Sequence, residues 1–260
     1  MKSPVVSTGH QHTPNHQLQQ LQPVTTRLET VIFSHIAIKC QPLDNYHGGD
    51  VAQLILARHG ETEWNVEKVF RGRGDVNLDE VGIKQAELLG NYLGDWELEA
   101  IYSSPVKRAL DTANIVARYQ KVAVHIAEGL IDFDYGAWQS LPEQEVKRLY
   151  PDLLGKWHNN PHEVKMPGGE SLEDVTRRAV EVINYVLPRH RGNVLLVSHR
   201  VVIKVLICYL LGLDNSHFWN INQHVGGITI FDYADGRFVL TKHNDTSHLR
   251  ELPESVLGDF

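Results

Sequence analysis

The sequence predicts an α/β fold of three layers, with helices on both faces of a mostly parallel central sheet, and its 260 residues suffice for one sizeable core. Two features carry the prediction. Ala52–Ala57 and Val194–Ser198 are near-continuous apolar runs of strand length, the pattern of strands buried on both faces. Around them, segments with helically spaced apolar residues alternate with further short apolar runs.

Taken in order, Ala52–Ala57 is the first buried strand. Asp79–Leu93 then places Ile83, Ala86, Leu89, Gly90 and Leu93 on one helical stripe. Ala100–Ser103 is a short strand, and a helix over Pro105–Tyr119 follows it, proline being well tolerated in a first turn. Val122–Ala127 alternates as another strand. Pro142–Tyr150 and Pro151–His158 read as short helices of a cap inserted around residues 137–170. Ser171 and Asp174 have capping-box spacing and open a long helix whose stripe is Leu172, Val175, Ala179, Val182, Ile183 and Val186. Val194–Ser198 is the central-strand candidate, with a helix over Val201–Leu211 behind it. Ile228–Tyr233 and Phe238–Lys242 suit an edge hairpin around Asp235-Gly236.

Residues 1–49 differ from the rest, being a low-complexity extension rich in Gln, His, Pro, Thr and Asn between Gly9 and Pro23. So few apolar groups do not offset the entropy of ordering, so disorder is expected there, with Val31–Ile38 a candidate short strand. Residues 50–260 are expected to form the folded domain.

Composition narrows the function. A net charge of −7 argues against general nucleic-acid binding, while leaving room for a few focused arginines to attract a phosphate. Cys40 and Cys208 form no paired motif, so a disulfide framework and a thiolate metal site are both unexpected, and a reducing compartment is the default. The N-terminus lacks a signal-peptide pattern, and Val194–Leu211 is interrupted by His199, Arg200 and Lys204, so no membrane span and a cytoplasmic location are expected. The 15 histidines are scattered without ligand spacing, which argues against a metal centre.

Chemistry concentrates where strands end. Leu54-Ile-Leu-Ala-Arg58-His59-Gly60-Glu61-Thr62-Glu63-Trp64-Asn65 delivers an imidazole and a guanidinium to the carboxyl end of a buried strand, where ligands bind in open α/β sheets. A neutral imidazole is a good nucleophile towards phosphorus, and a guanidinium holds phosphate oxygens through paired charge-assisted hydrogen bonds. Ile101-Tyr-Ser103-Ser104-Pro105-Val-Lys-Arg108 offers a second arginine, and Val194-Leu-Leu-Val-Ser198-His199 a second strand-ending histidine. Leu130-Ile-Asp132-Phe-Asp134-Tyr-Gly136-Ala-Trp138 offers carboxylates in a turn-like setting.

This ordered set resembles the histidine phosphatase superfamily, which includes the cofactor-dependent phosphoglycerate mutases, from about Val51 to the C-terminal region. The resemblance implies a phosphoglycerate mutase-like fold and a phosphohistidine formed on His59, with Arg58, Arg108 and His199 around the phosphoryl oxygens. It implies no metal and no cofactor. Thr62 and Asn65 match substrate-lining positions, although both also suit capping, and Arg71 and Arg73 are either attractors of an anionic tail or solvated loop charges. The general acid matches Asp132, four residues before Gly136 where relatives usually carry glutamate, with Glu128 and Asp134 as rivals. Arg200 stands where many relatives have glycine, and Asp132-Phe-Asp-Tyr-Gly136 lacks the arginine of the mutase segment. The resemblance therefore favours a phosphatase acting on a small phosphorylated metabolite over a mutase or a non-catalytic phosphate-binding protein. A homodimer is left open.

Overall fold

The computed structural model describes residues 30–31, 52–234 and 236–252, and the expectations for the rest of residues 1–49 lie outside them. The elements in order are β1 (Thr30–Val31), β2 (Ala52–Arg58), α1 (Glu63–Val66), α2 (Glu80–Tyr92), β3 (Leu98–Ser103), α3 (Lys107–Gln120), β4 (Val124–Ala127), α4 (Glu143–Leu149), α5 (Pro151–Asn159), α6 (Leu172–Val186), β5 (Asn193–Ser198), α7 (Arg200–Leu210), β6 (Ile228–Ala234) and β7 (Arg237–Asp245). They build one seven-stranded sheet in the order β1-β4-β3-β5-β2-β6-β7. The pairs from β1 to β2 are parallel, and β6 and β7 add an antiparallel edge. Of the segment Val31–Ile38 only Val31 is described, and with Thr30 it pairs parallel to β4.

Alternation along β2 divides the core. Leu54 and Leu56 join Tyr102 and Leu196 under the stripes of α6 and α7, while Ile55 and Ala57 join Ile101, Leu195 and Val197 under α2 and α3. Helices thus cover both faces, which is why β2 and β5 read as unbroken apolar runs. The inserted helices α4 and α5 are not a detached cap, because Val146, Leu154 and Trp157 belong to the same apolar cluster as α6 and α7.

Most boundaries follow local chemistry. Asp79 caps α2 by accepting from Gly82 N at 2.7 Å. Ser171 and Asp174 form the expected capping box, with Asp174 N donating to Ser171 Oγ at 3.2 Å and Ser171 N to Asp174 Oδ2 at 3.0 Å. The helix expected from Pro105 starts instead at Lys107, because Val106 is extended (φ −67°, ψ 132°) and its N–H donates to Ser104 Oγ at 3.2 Å.

Helix α7 is buried along most of its length and includes a lysine. Lys204 is 1% exposed, its Nζ 3.9 Å from the centre of the Phe218 ring and 4.2 Å from that of Trp219. Burial, helped by the charge of Arg200, brings its pKa down to about 6. The ring faces favour the ammonium by only about 0.5–2 kcal/mol, less than desolvation disfavours it. Between this folded value of about 6 and the ordinary 10.5, the unfolded chain holds a proton that the folded chain lacks, so stability rises with pH across that window. Lys204→Met, close in volume and without the amine, is therefore expected to raise the melting temperature at pH 7 by at least ~2–4 °C, the shift that one kcal/mol gives a domain of this size. The gain should shrink as pH rises from 7 towards 10. Calorimetry showing no gain, or one independent of pH, would contradict the buried-amine account.

Candidate active site

The register of two parallel strands creates the site. Arg58 on β2 pairs with Ser198 on β5, so the next residues, His59 and His199, leave the sheet side by side. His59 N–H donates to Ser198 O at 3.0 Å, and the two imidazole centroids lie 5.2 Å apart. The first long helices after these strands, α2 and α7, lie on opposite faces, so the strand ends open into a crevice of the kind that binds ligands at a topological switch. His199 is also the N-cap of α7, which turns the positive end of that helix towards the crevice. The loop after His59 lies tight against α2, since a Cβ on Gly60 would meet Gly82 O at 2.4 Å and one on Gly82 would meet Glu61 O at 2.1 Å. Only glycine permits that approach.

Hydrogen bonds fix the protonation of the nucleophile candidate. His59 Nδ1 lies 2.6 Å from Gly60 O, and a carbonyl only accepts, so the proton sits on Nδ1 and Nε2 keeps its lone pair. That lone pair accepts from Arg108 Nε at 3.3 Å. Arg108 is fully buried in the first turn of α3, and its remaining donors reach Gly74 O at 2.7 Å, Gly72 O at 2.8 Å and Asp132 Oδ2 at 2.7 Å. His199 Nε2 hydrogen-bonds with Ser104 Oγ at 2.7 Å. Its Nδ1 has no hydrogen bond among the described residues and faces Asp132 Oδ2 at 3.5 Å. Arg58, also fully buried, donates from Nη1 to Gln223 O at 2.8 Å.

Both histidines are held well below their ordinary pKa of 6.5, first by burial and then by the charge of Arg108, with Arg58 and Arg71 adding to it. Both are therefore neutral at pH 7. Burial also draws Arg108 downward, against the pull of Asp132, but a guanidinium stays charged. The result is an uncharged imidazole among fixed cations, at the base of a cleft of about 290 Å³ lined by His59, Phe70, Arg71, Asp132, Glu143 and Arg200 with Tyr135, Trp157 and Trp219.

The sequence candidates fall into distinct places. Arg58, His59, Arg108, Asp132 and His199 converge. Arg71 lines the cleft and donates to Trp64 O at 3.0 Å, whereas Arg73 turns away to Asp134 at 3.4 Å and Glu170 at 3.0 Å. Of the three carboxylates considered for the acid, Asp132 lines the cleft, Asp134 accepts from Gly136 N at 2.9 Å, and Glu128 is exposed in a 3-10 turn. Thr62 and Asn65 are buried and bonded to each other, Thr62 Oγ1 donating to Asn65 Oδ1 at 2.8 Å at the start of α1, and neither is among the residues lining the cleft.

Sequence reasoning passed over the supports. Arg178 on α6 donates to Gly129 O at 2.8 Å, Ile131 O at 2.6 Å and Asp132 O at 3.1 Å, and grips Glu170 Oε1 at 2.9 Å. Burial alone would raise the pKa of Glu170, but the bonds from Arg178 outweigh it and hold the carboxyl below its ordinary value. This clamp sets the backbone that carries Asp132. Ser104 and Gln223, which orient His199 and Arg58, are ordinary polar residues until the fold brings them together.

Among the described residues no group of three or more His, Cys, Asp or Glu side chains is placed to hold a metal ion, and no helix is long and apolar enough to cross a membrane.

Comparison with known proteins agrees with this geometry. Residues 54–246 match the model of the histidine phosphatase superfamily (branch 1). Phosphoserine phosphatase 1 of Hydrogenobacter thermophilus is 37% identical over 203 residues, which cover 78% of this chain and 96% of that protein. The solved structure of Bacillus stearothermophilus YhfR is 34% identical with a TM-score of 0.73, covering 76% of this chain and 99% of that one. That of mycobacterial glucosyl-3-phosphoglycerate phosphatase in complex with VO3 is 26% identical with a TM-score of 0.71, covering 75% of this chain and all (100%) of that one. With its strand-ending histidines, its buried arginines and this match, the chain belongs to branch 1 of the histidine phosphatase superfamily.

Proposed function

We propose that the chain hydrolyses small phosphomonoesters in two steps through a phosphohistidine on His59, without a metal. The observation that carries this reading is the locked tautomer of His59, whose Nε2 lone pair points at Arg108. In the resting site Arg108 is shared between His59 and Asp132. An arriving phosphoryl group takes over these donors, together with Arg58 and the Nδ1 side of His199, and so frees both the nucleophile and the carboxyl group. Asp132, released from Arg108 as the phosphoryl group takes over that guanidinium, takes up a proton from solvent. His59 Nε2 then forms a bond to phosphorus as the ester P–O bond breaks, and Asp132 gives that proton to the departing oxygen. In the second step Asp132 takes a proton from water, whose oxygen attacks phosphorus, and the P–N bond breaks to return neutral His59 and inorganic phosphate.

The cleft volume of about 290 Å³ lies at the small end of ligand sites, which supports a metabolite over a macromolecular substrate. Phe133 supports hydrolysis over transfer. It occupies the place of the mutase arginine, fully buried and stacked on Trp157 at 5.6 Å, so it offers no charge to hold an acceptor. The phosphatase names of two of the relatives agree with this choice.

His59→Ala is expected to abolish turnover with the fold intact, and rapid quench of the wild type should trap acid-labile, base-stable protein phosphate. Full turnover by the variant would end the assignment. NMR titration of the free protein should show the His59 ring neutral down through pH 6.5, because burial and Arg108 both oppose its protonation. A midpoint at or above 6.5 would mean that the ring is solvated or paired with a carboxylate. For Asp132→Asn, single-turnover release of an alkyl leaving group should slow by about 10²–10⁴, the usual worth of general acid catalysis, while release of p-nitrophenol should persist as a burst. Equal slowing of both would move the acid elsewhere.

A further inference from the structure

The carbonyl that orients Arg58 is itself held from outside the cleft. Residues 223–227, which lead into β6, touch both residues at the end of β2. Gln223 O accepts from Arg58 Nη1 at 2.8 Å, Gly227 O accepts from Arg58 N at 3.1 Å, and Gly226 N donates to His59 O at 3.2 Å. One residue of β7 ties this segment down. Asn244 Oδ1 accepts from His224 N at 2.8 Å, and Asn244 Nδ2 donates to His224 Nδ1 at 3.0 Å. The N–H of Asn244 donates to Thr229 Oγ1 at 3.1 Å, and that hydroxyl donates in turn to Gln223 Oε1 at 3.3 Å. The approach is so close that a Cβ on Gly227 would meet Asn244 Oδ1 at 2.6 Å. Neither Asn244 nor His224 is among the residues lining the cleft.

The backbone of β7 departs from regular pairing at this point. Ile228 pairs with Asp245 and Ile230 with Lys242, so Thr229 faces two residues, His243 and Asn244, across a β-bulge. Asn244 takes φ 49°, in the left-handed region that few side chains besides asparagine and aspartate enter. The bulge turns its amide onto residues 223–227, the kind of re-aiming that bulges perform beside active sites. Asparagine combines tolerance of this conformation with an acceptor for the His224 N–H and a donor for its ring. A guanidinium grips phosphate oxygens through two parallel bonds only when its plane is oriented, and Gln223 O holds one donor of Arg58 in place. Resting on the reading above that Arg58 holds the phosphoryl group, we infer that Asn244 is a positioning residue for phosphate binding, acting on Arg58 through residues 223–227.

The test is the affinity for inorganic phosphate, measured by calorimetry in a double-mutant cycle with Arg58. Asn244→Gly keeps the left-handed backbone accessible and removes both side-chain bonds to His224, so a role confined to the bulge would leave the affinity unchanged. The substitution should instead raise the phosphate Kd about tenfold, the worth of one charge-assisted hydrogen bond. It should lower kcat/KM by a similar factor for p-nitrophenyl and alkyl phosphates alike, because the proton donor is untouched. In an Arg58→Ala background the same substitution should change the Kd by about twofold at most. Gly227→Ala, whose Cβ pushes on Asn244 Oδ1, should reproduce the loss by displacing the same amide from the other side. Asn193→Ala, which removes a bond to Trp96 O at the opposite end of the sheet, should lower the melting temperature and keep the phosphate affinity. An unchanged Kd in Asn244→Gly and Gly227→Ala, an equal loss with and without Arg58, or the same loss in Asn193→Ala would overturn the inference and leave the hydrolase reading standing. If Arg58→Ala binds phosphate as well as the wild type does, the phosphate role of Arg58 falls and the inference falls with it.

Discussion

A single buried guanidinium holds the centre of this molecule together. Arg108 donates at once to the nucleophile candidate His59, to Asp132 and to the carbonyls of Gly72 and Gly74, and it does so with no exposure to solvent. Removing a charge from water costs several kcal/mol even after relaxation, so the cation is tolerable only because each donor meets an oxygen or a lone pair. The carbonyls fix the loop between α1 and α2, and the carboxylate fixes the loop after β4. Three segments distant in sequence therefore share one anchor, and each would lose its place if the anchor were neutral.

That anchor works because the sheet delivers its partners to one level. Skipping a place between β2 and β3 leaves room for β5, and the pairing Arg58↔Ser198 then puts two histidines next to each other from residues 140 apart in the chain. Parallel pairing is essential here. In an antiparallel pair one of the two strands would end at the opposite edge, and its histidine would lie a strand length away. The clamp of Arg178 and Glu170 does for the acid loop what the register does for the histidines, because that loop has no strand partner of its own at Asp132.

How much of this was legible depends on whether the information was local. The resemblance to the histidine phosphatases and the three-layer fold were visible because apolar runs, caps and strand-ending Arg58-His59 and Ser198-His199 are each complete within a few residues. The choice among Glu128, Asp132 and Asp134 was not, since the residues that sort the three carboxylates, Arg73, Arg108 and Arg178, come from elsewhere in the chain. Thr62 and Asn65 show the same limit from the other side. Their polar types suited both a ligand and a cap, and the structure shows their side chains bonded to each other at the start of α1. Pro105 misplaced the start of α3 because the hydroxyl of Ser104 captures the next free N–H, an effect that propensity does not contain.

The electrostatics of the site resolve an apparent conflict in the sequence, a protein of net charge −7 built to receive an anion. Arg58 and Arg108 are buried and Arg71 lines the cleft, so they act on it through low dielectric, while most of the acidic side chains are screened at the surface. The same cations that attract a phosphoryl dianion keep His59 and His199 from binding protons of their own. A protonated His59 would have no lone pair to offer, so in the proposed mechanism the charge that recruits the substrate also preserves the nucleophile. Once the dianion arrives the balance reverses at His59, because the negative oxygens occupy Arg108 and offset its charge. On the mechanism proposed above, the imidazole would become more basic, and thus a better nucleophile, only when there is phosphorus for it to attack. Binding and activation are in this way one electrostatic event, and they require that the arginines be buried and the histidines be neutral before the substrate enters.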